Sequence, residues 1–163
     1  MTATPSSGDH ATRVRPPSLA DFEDWGRLYA AYAGFYGNDQ TPAARDLVWG
    51  WIHDPHHEVS ALLLLDEGGS PVGLAHYRPF ARPLAAGRGC YLEDLYVDPA
   101  HRGGGGASAL LAELRRLARI NGWSVVRWIT ADDNYRARSL YDRVATRTGW
   151  ITYDMSPDDA VGV

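Results

Sequence analysis

Residues 91–111 read YLEDLYVDPAHRGGGGASALL. An apolar strand carrying two acids, Glu93 and Asp94, runs into a turn, an arginine, four glycines and then a helical pattern. Gly103, Gly104, Gly105 and Gly106 lose more backbone entropy on folding than other residues would, so a folded chain keeps such a run where backbone must approach something closely. The helix that follows starts with free N–H groups and the positive end of its macrodipole, which together favour an anion. A flexible loop would account for the glycines alone. Acids, however, are poor strand residues, and two of them directly before the loop point to a phosphorylated cofactor held beside a catalytic carboxylate.

Upstream, residues 12–15 read as a short strand stopped by Pro16 and Pro17. Ser18 can cap a helix in which Leu19, Phe22, Trp25, Leu28 and Tyr29 recur at helical spacing, ending near Gly34 or Gly37. Thr41 before Pro42 signals a second helix with Leu47, Val48, Trp51 and Ile52 as its apolar stripe. Residues 58–65 and 71–78 form a hairpin around Asp66, Glu67, Gly68, Gly69 and Ser70. The segment 79–89, rich in Pro, Ala, Gly and Arg, leads into a strand over 90–97. After the glycines a helix carries Leu110, Leu111, Leu114, Leu117 and Ala118 on one face. Val125, Val126, Trp128 and Ile129 predict a strand, 134–147 a helix and 150–155 a last strand. The order β-α-α-β-β-β-α-β-α-β describes one three-layer α/β domain over residues 12–155 with a mixed sheet. Residues 1–11 read as a disordered tail and 156–163 as a mobile one.

Composition narrows the function classes. A chain of 163 residues with 45% hydrophobic and 22% charged residues suits a single soluble domain. No apolar run is long enough to span a bilayer and no secretory signal opens the chain, so a cytoplasmic protein without membrane partners is expected. The one cysteine, Cys90, fits a reducing compartment and leaves no internal disulfide. All 16 basic residues are arginine, which removes any lysine Schiff base or P-loop lysine. A net charge of −4 argues against nucleic acid as a partner. His53, His56 and His57 match no dependable metal-ligand spacing and read as solvated turn residues, so no metal is expected.

The pattern Arg102-x-x-Gly105-x-Ala107, preceded by YLEDLYVDP and followed by Asn134-x-x-Ala137-x-x-Leu140-Tyr141-Asp142 and Gly149-Trp150-Ile151, resembles the GNAT N-acetyltransferase superfamily. CYLEDLYV, WITADDN and ARSLYDRVA look most like its histone and polyamine acetyltransferase-like subgroup. The resemblance implies a three-layer α/β/α fold with a mixed, mostly antiparallel central sheet, and acetyl-CoA as cosubstrate. It implies that backbone around Leu95, Tyr96 and Val97 bonds the pantetheine arm, and that Asn134 contacts the cofactor; Asn134 is equally well placed to cap a helix. The amides of Gly103, Gly104, Gly105, Gly106 and Ala107, with the cation of Arg102, suit a pyrophosphate. Two departures stand out: Gly106 replaces a bulky aliphatic, which predicts a floppier helix start, and Ala107 replaces the commoner glycine. Only one strand follows the last helix, so a second is absent or supplied across a homodimer, the assembly common in the subgroup.

Acetyl transfer to an amine needs a neutral nucleophile, whereas an alkylamine with a pKa of about 10.4 is mostly protonated at neutral pH. Glu93 is the candidate general base, acting through water. Strict alternation sends Asp94 to the opposite face, as a structural or substrate-side partner; a bulge would permit the reverse assignment. The resemblance places a general acid at Tyr141, able to protonate the departing thiolate; a core tyrosine is the alternative. The resemblance implies that Tyr32, Phe35 and Tyr36, in a run that begins at Tyr29, wall an acceptor pocket able to surround an ammonium; Tyr29, Tyr32 and Tyr36, at i, i+3 and i+7, equally satisfy a plain core stripe. His76 either faces that pocket or is an ordinary buried histidine. Cys90 has no identified base and reads as a small apolar residue. The acceptor expected is a small amine: polyamine, amino acid, dipeptide or antibiotic. Protein lysines or N-termini, and a noncatalytic acyl-CoA sensor, are the alternatives.

Overall fold

The structure is a computed structural model that describes residues 13–157. The tail expected over 1–11, and all but residues 156 and 157 of the tail expected over 156–163, lie outside the described residues. The chain divides into two compact units, one ending at Ile129 and one beginning at Thr130.

The first unit is built on a five-stranded sheet in sequence order: β1 (Val14–Arg15), β2 (Ser60–Leu65), β3 (Pro71–Arg82), β4 (Gly87–Val97) and β5 (Val126–Arg127). The first four strands run antiparallel to their neighbours, and β5 lies parallel to β4. Two helices, α1 (Phe22–Phe35) and α2 (Pro42–His53), come before β2, and α3 (Gly106–Ile120) links β4 to β5. A parallel pair needs such a crossover, whereas the hairpins need only turns.

Local chemistry sets these boundaries. Asp21, directly before α1, accepts from the Ser18 amide at 2.7 Å and from its hydroxyl at 2.8 Å, and receives two bonds from Arg15 at 2.7 and 2.9 Å. Thr41 Oγ1 accepts from the Ala44 amide at 3.1 Å, with Pro42 in the first helical position of α2. Strand register then sorts the core into two faces. Leu63, Leu74 and Tyr96 lie in one paired row and meet Trp25 and Leu28 of α1, with Val48, Trp49 and Ile52 of α2 packed behind. The adjacent row, Leu64, Gly73 and Val97, turns to the opposite face, where α3 buries Leu110, Leu111 and Leu114. The result is the helix, sheet, helix layering expected from the sequence.

The second unit contains α4 (Tyr135–Val144). Asn134 caps it, its Oδ1 accepting from the Ala137 amide at 3.3 Å while its Nδ2 donates to Thr130. The helix ends before Arg147, three residues earlier than the sequence pattern suggests. The last strand expected over 150–155 is not formed: these residues have no regular structure, and Trp150, Ile151, Tyr153 and Met155 are exposed.

Residues 79–89 are not a loop, because β3 continues to Arg82, β4 starts at Gly87, and a single tight turn over Pro83–Ala85 joins them. Pro79 is tolerated there because β2 pairs with β3 only as far as Tyr77, so beyond that point β3 has an edge that needs no N–H. Nor is Gly106 a floppy start to α3. It is buried, and a Cβ built on it would stand 2.4 Å from Leu64 Cδ2 and 3.7 Å from Val97 Cγ1. The glycine is there because helix and sheet come that close.

Candidate active site

Strand β4 does not alternate evenly. His76 of β3 stands opposite Asp94, but the next residue, Tyr77, stands opposite Leu92, which leaves Glu93 as an extra residue in a β-bulge. The bulge cancels the strict alternation that would send the two acids to opposite faces. Arg78 Nε donates to Glu93 at 2.6 Å, and His76 Nδ1 lies 2.8 Å from Asp94 Oδ2. His76 and Arg78 are two apart on one strand, so both acids are engaged from the same side of the sheet.

Their surroundings differ. Glu93 and Arg78 are a solvent-facing pair with side chains 38% and 31% exposed. Asp94 is 22% exposed and its histidine partner only 3%. Asp94 forms part of a cleft of about 500 Å³ with Tyr29, Tyr32, Tyr36, Asn38, Asp39, Gln40 and Thr41. Burial first, and then the nearby Asp94 carboxylate, hold the Tyr32 phenol far above its ordinary pKa. The Tyr29 phenol is also raised, by burial first and Asp94 second, with the Gln40 amide acting in the opposite sense. Gln40, which also lines the cleft, keeps its Oε1 buried without a hydrogen-bond partner. Phe35 stands apart from this wall, 62% exposed and in edge contact with Tyr36. His76 lies beneath the cleft rather than in its lining, 2% exposed.

The glycine loop follows β4 directly. Gly103 and Gly105 have φ of +87° and +79°, the left-handed region that only glycine enters without strain. Gly105 is the N-cap of α3 and brings no side-chain acceptor, so the first amides of the helix, from Gly106 and Ala107 onward, are open to an anion. Within the first unit, β4 is paired with β5 only at Cys90 and Tyr91, which leaves Leu92, Leu95, Tyr96 and Val97 on an open edge on that side. Arg102 folds back onto this strand end: its Nε donates to the Val97 carbonyl at 2.9 Å and its guanidinium lies 5.7 Å from the Tyr96 ring centre. It therefore braces the loop at one end. Backbone donors and an open strand edge suit a ligand with a phosphate head and an amide-bearing arm.

Other sequence candidates fall outside this arrangement. Cys90 is fully buried and burial raises its thiol to about 11, which makes it an unreactive core residue. His53 and His57 are less solvated than a turn would make them, the first in tilted contact with Trp49 at 4.2 Å and the second stacked on Trp51 at 4.9 Å. No group of three His, Cys, Asp or Glu among the described residues could hold a metal ion. No helix among them is long and apolar enough to cross a membrane. Asn134 and Tyr141 belong to the second unit, where Asn134 is the N-cap of α4 and Tyr141 lies within that helix. Trp25, Gln40 and Arg78 escaped the sequence reading as members of the site. A signal existed for the first, since a buried indole N–H requires an acceptor and the apolar stripe of α1 holds none.

Residues 25–145 match the acetyltransferase (GNAT) family model. The D-amino-acid N-acetyltransferase HPA3 of Saccharomyces cerevisiae is 30% identical over 134 residues, 82% of this chain and 83% of the relative. The thialysine N-epsilon-acetyltransferase of Bos taurus is 33% identical over 97 residues, 56% of either chain. Among solved structures, a probable acetyltransferase matches with a TM-score of 0.79 at 24% identity, over 91% of this chain and 99% of that one. AAC(6')-Iy, solved in complex with a bisubstrate analog joining CoA to an acetylneamine, matches with a TM-score of 0.76 at 16% identity, over 88% and 96%. Fold, glycine loop, family model and yeast relative agree: the chain belongs to the GNAT family of acetyltransferases.

Proposed function

We propose that the chain transfers an acetyl group from acetyl-CoA to the primary amine of a small molecule bound in the tyrosine-lined cleft, by direct attack with both substrates present. The observation that carries this reading is the placement of Asp94: a carboxylate in a cleft walled by Tyr29, Tyr32 and Tyr36, on the same strand whose end feeds the glycine loop. Carboxylate and aromatic faces together suit an ammonium. The relatives support an amine acceptor, a D-amino acid for one and thialysine for another, and the bisubstrate analog bound to AAC(6')-Iy carries an acetylneamine group.

Residues on both sides of the loop fit acetyl-CoA, which supplies an activated acyl thioester. Gly103, Gly104, Gly105, Gly106 and Ala107 offer backbone donors to a pyrophosphate, the β4 backbone at Leu95, Tyr96 and Val97 offers an open edge to the pantetheine amides, and Arg102 steadies the loop. Asn134 is a further cofactor contact suggested by the family pattern. Of the two acids, Asp94 rather than Glu93 meets the acceptor. It attracts the ammonium and takes the proton that must leave before the nitrogen can attack. Glu93 faces solvent in its pair with the Arg78 guanidinium and does not line the cleft. Tyr141 is the proposed acid toward the departing thiolate. The buried thiol fits a cytoplasmic setting, and the exposed apolar side chains of Trp150, Ile151, Tyr153 and Met155 support assembly as a homodimer.

Thiol release from acetyl-CoA, measured over diamines, polyamines, amino acids, dipeptides and aminoglycosides, tests the reading. Saturable turnover with at least one small amine is expected. Tight acetyl-CoA binding with no turnover on any of them, or turnover only on protein lysines, would overturn it in favour of a sensor or a protein acetyltransferase.

A further inference from the structure

Beneath the acceptor cleft a buried histidine has both ring nitrogens committed. Trp25 Nε1 donates to His76 Nε2 at 2.9 Å, and His76 Nδ1 lies 2.8 Å from Asp94 Oδ2. An indole N–H has no acceptor capacity, so Nε2 must present its lone pair, and the ring proton must sit on Nδ1, where it is donated to the carboxylate. The ring plane is held as well: Tyr29 meets it edge-on at 4.7 Å and Trp25 at 5.8 Å between centroids. Trp25 is fully buried and does not line the cleft. It nonetheless controls which tautomer faces Asp94.

We propose that Trp25 and His76 are positioning residues for acetyl transfer: Trp25 selects the Nδ1–H tautomer of His76, and His76 then anchors one oxygen of Asp94, turning the remaining lone pairs toward Tyr32 and the acceptor amine. This rests on the reading of Asp94 as the acceptor-side carboxylate. His76 is accordingly not the base, since neither nitrogen is free to accept a proton from the amine. Without the indole N–H the ring can carry its proton on Nε2, and the bare Nδ1 lone pair then faces a carboxylate at hydrogen-bond distance. The two repel, and Asp94 turns out of position. The charged and titratable groups facing this relay are Tyr29 and Tyr32 from α1, Asp94 from β4, and the Arg78 and Glu93 pair one step along the sheet.

The test uses the full chain. Long-range nitrogen–proton NMR correlations identify the His76 tautomer, with His76→Asn used to assign its signals. The Nδ1–H form is expected in the wild-type protein at neutral pH, and a mixture in Trp25→Phe. In thiol-release kinetics Trp25→Phe should raise the KM for the amine about tenfold, the size of a lost hydrogen bond to a charged group, and leave the KM for acetyl-CoA unchanged. His76→Asn, which keeps an N–H donor for Asp94, should recover part of what His76→Leu loses. A proton on Nε2 in the wild-type protein overturns the proposal without any variant having to fold. So does a Trp25→Phe protein whose tautomer shifts while its amine KM does not, provided Asp94→Asn does raise that KM. If Asp94→Asn leaves the amine KM unchanged, the acceptor reading itself fails, and the relay's role falls with it.

Discussion

Gly106 offers a stringent check on how the glycine loop is built. A Cβ at this position would stand 2.4 Å from Leu64 Cδ2, more than about 1 Å inside ordinary carbon–carbon contact. The clashing atom is a side-chain terminus, yet Leu64 is itself only 1% exposed in the face packed under α3, so it has little room to turn. Overpacking of this kind costs about 1–3 kcal/mol. The better helix propensity of alanine returns at most about 1 kcal/mol. Gly106→Ala should therefore lose about 1–2 kcal/mol, which for a chain of this size lowers Tm by roughly 2–8 °C. The same displacement would lift the first amides of α3 and weaken acetyl-CoA binding. Thermal unfolding followed by circular dichroism, with acetyl-CoA affinity by calorimetry, measures both. The double variant Gly106→Ala with Leu64→Ala should lose less than the sum of its parts, because the smaller residue admits the new methyl group. A raised Tm for Gly106→Ala, or strict additivity in the double variant, would refute the close-packing argument and restore the picture of a loose helix start.

Asp21 is held well below the usual carboxylate range, first by Arg15 and then by Ser18, so its contribution to stability is fully present above its unfolded pKa of about 3.9 and fades as pH falls toward the folded value. Asp21→Asn should lose about 2 kcal/mol at neutral pH and show a shallower loss of stability below pH ~4, and denaturant titrations that find parallel curves for the two proteins contradict this. Cys90 should resist a thiol reagent at pH ~8 in the folded protein and react fully once unfolded, as a buried thiol raised to about 11 requires; prompt labelling of the native state would show a different environment. Tyr141→Phe should lower turnover about tenfold to a hundredfold with the amine KM unchanged, and unaltered turnover removes the phenol from the chemistry.

The layered fold was legible because its signals are local and agree with one another. Thr41 and Pro42 mark a helix start by chemistry that needs no tertiary partner, and the leucines of α3 repeat at helical spacing. The segment over 79–89 misled because its prolines and glycines are turn residues by propensity. Their place in a long hairpin depends on where β2 stops pairing, which is a tertiary fact. The missing strand over 150–155 has strand-like side chains, but strands form through pairing, and pattern alone supplies no partner. At the site, residue types in the loop and on β4 pointed to the cofactor side. The shared facing of the two acids was hidden because a single bulge at Glu93 produces it, and alternation assumes that no bulge exists. The relay beneath Asp94 joins residues 51 and 18 positions apart in sequence, a separation at which no motif operates.

Asp94 is the centre of the proposed chemistry, and steady-state thiol release with the best small amine compares it directly with its neighbour. Asp94→Asn should lower kcat/KM for the amine about a hundredfold or more, through lost ammonium attraction and lost proton acceptance, with the KM for acetyl-CoA unchanged. Glu93→Gln, which breaks only a partly exposed ion pair, should stay within about threefold of wild type. The opposite ranking, with Glu93→Gln nearly inactive and Asp94→Asn close to wild type, would contradict the account and return the proton transfer to the bulge residue.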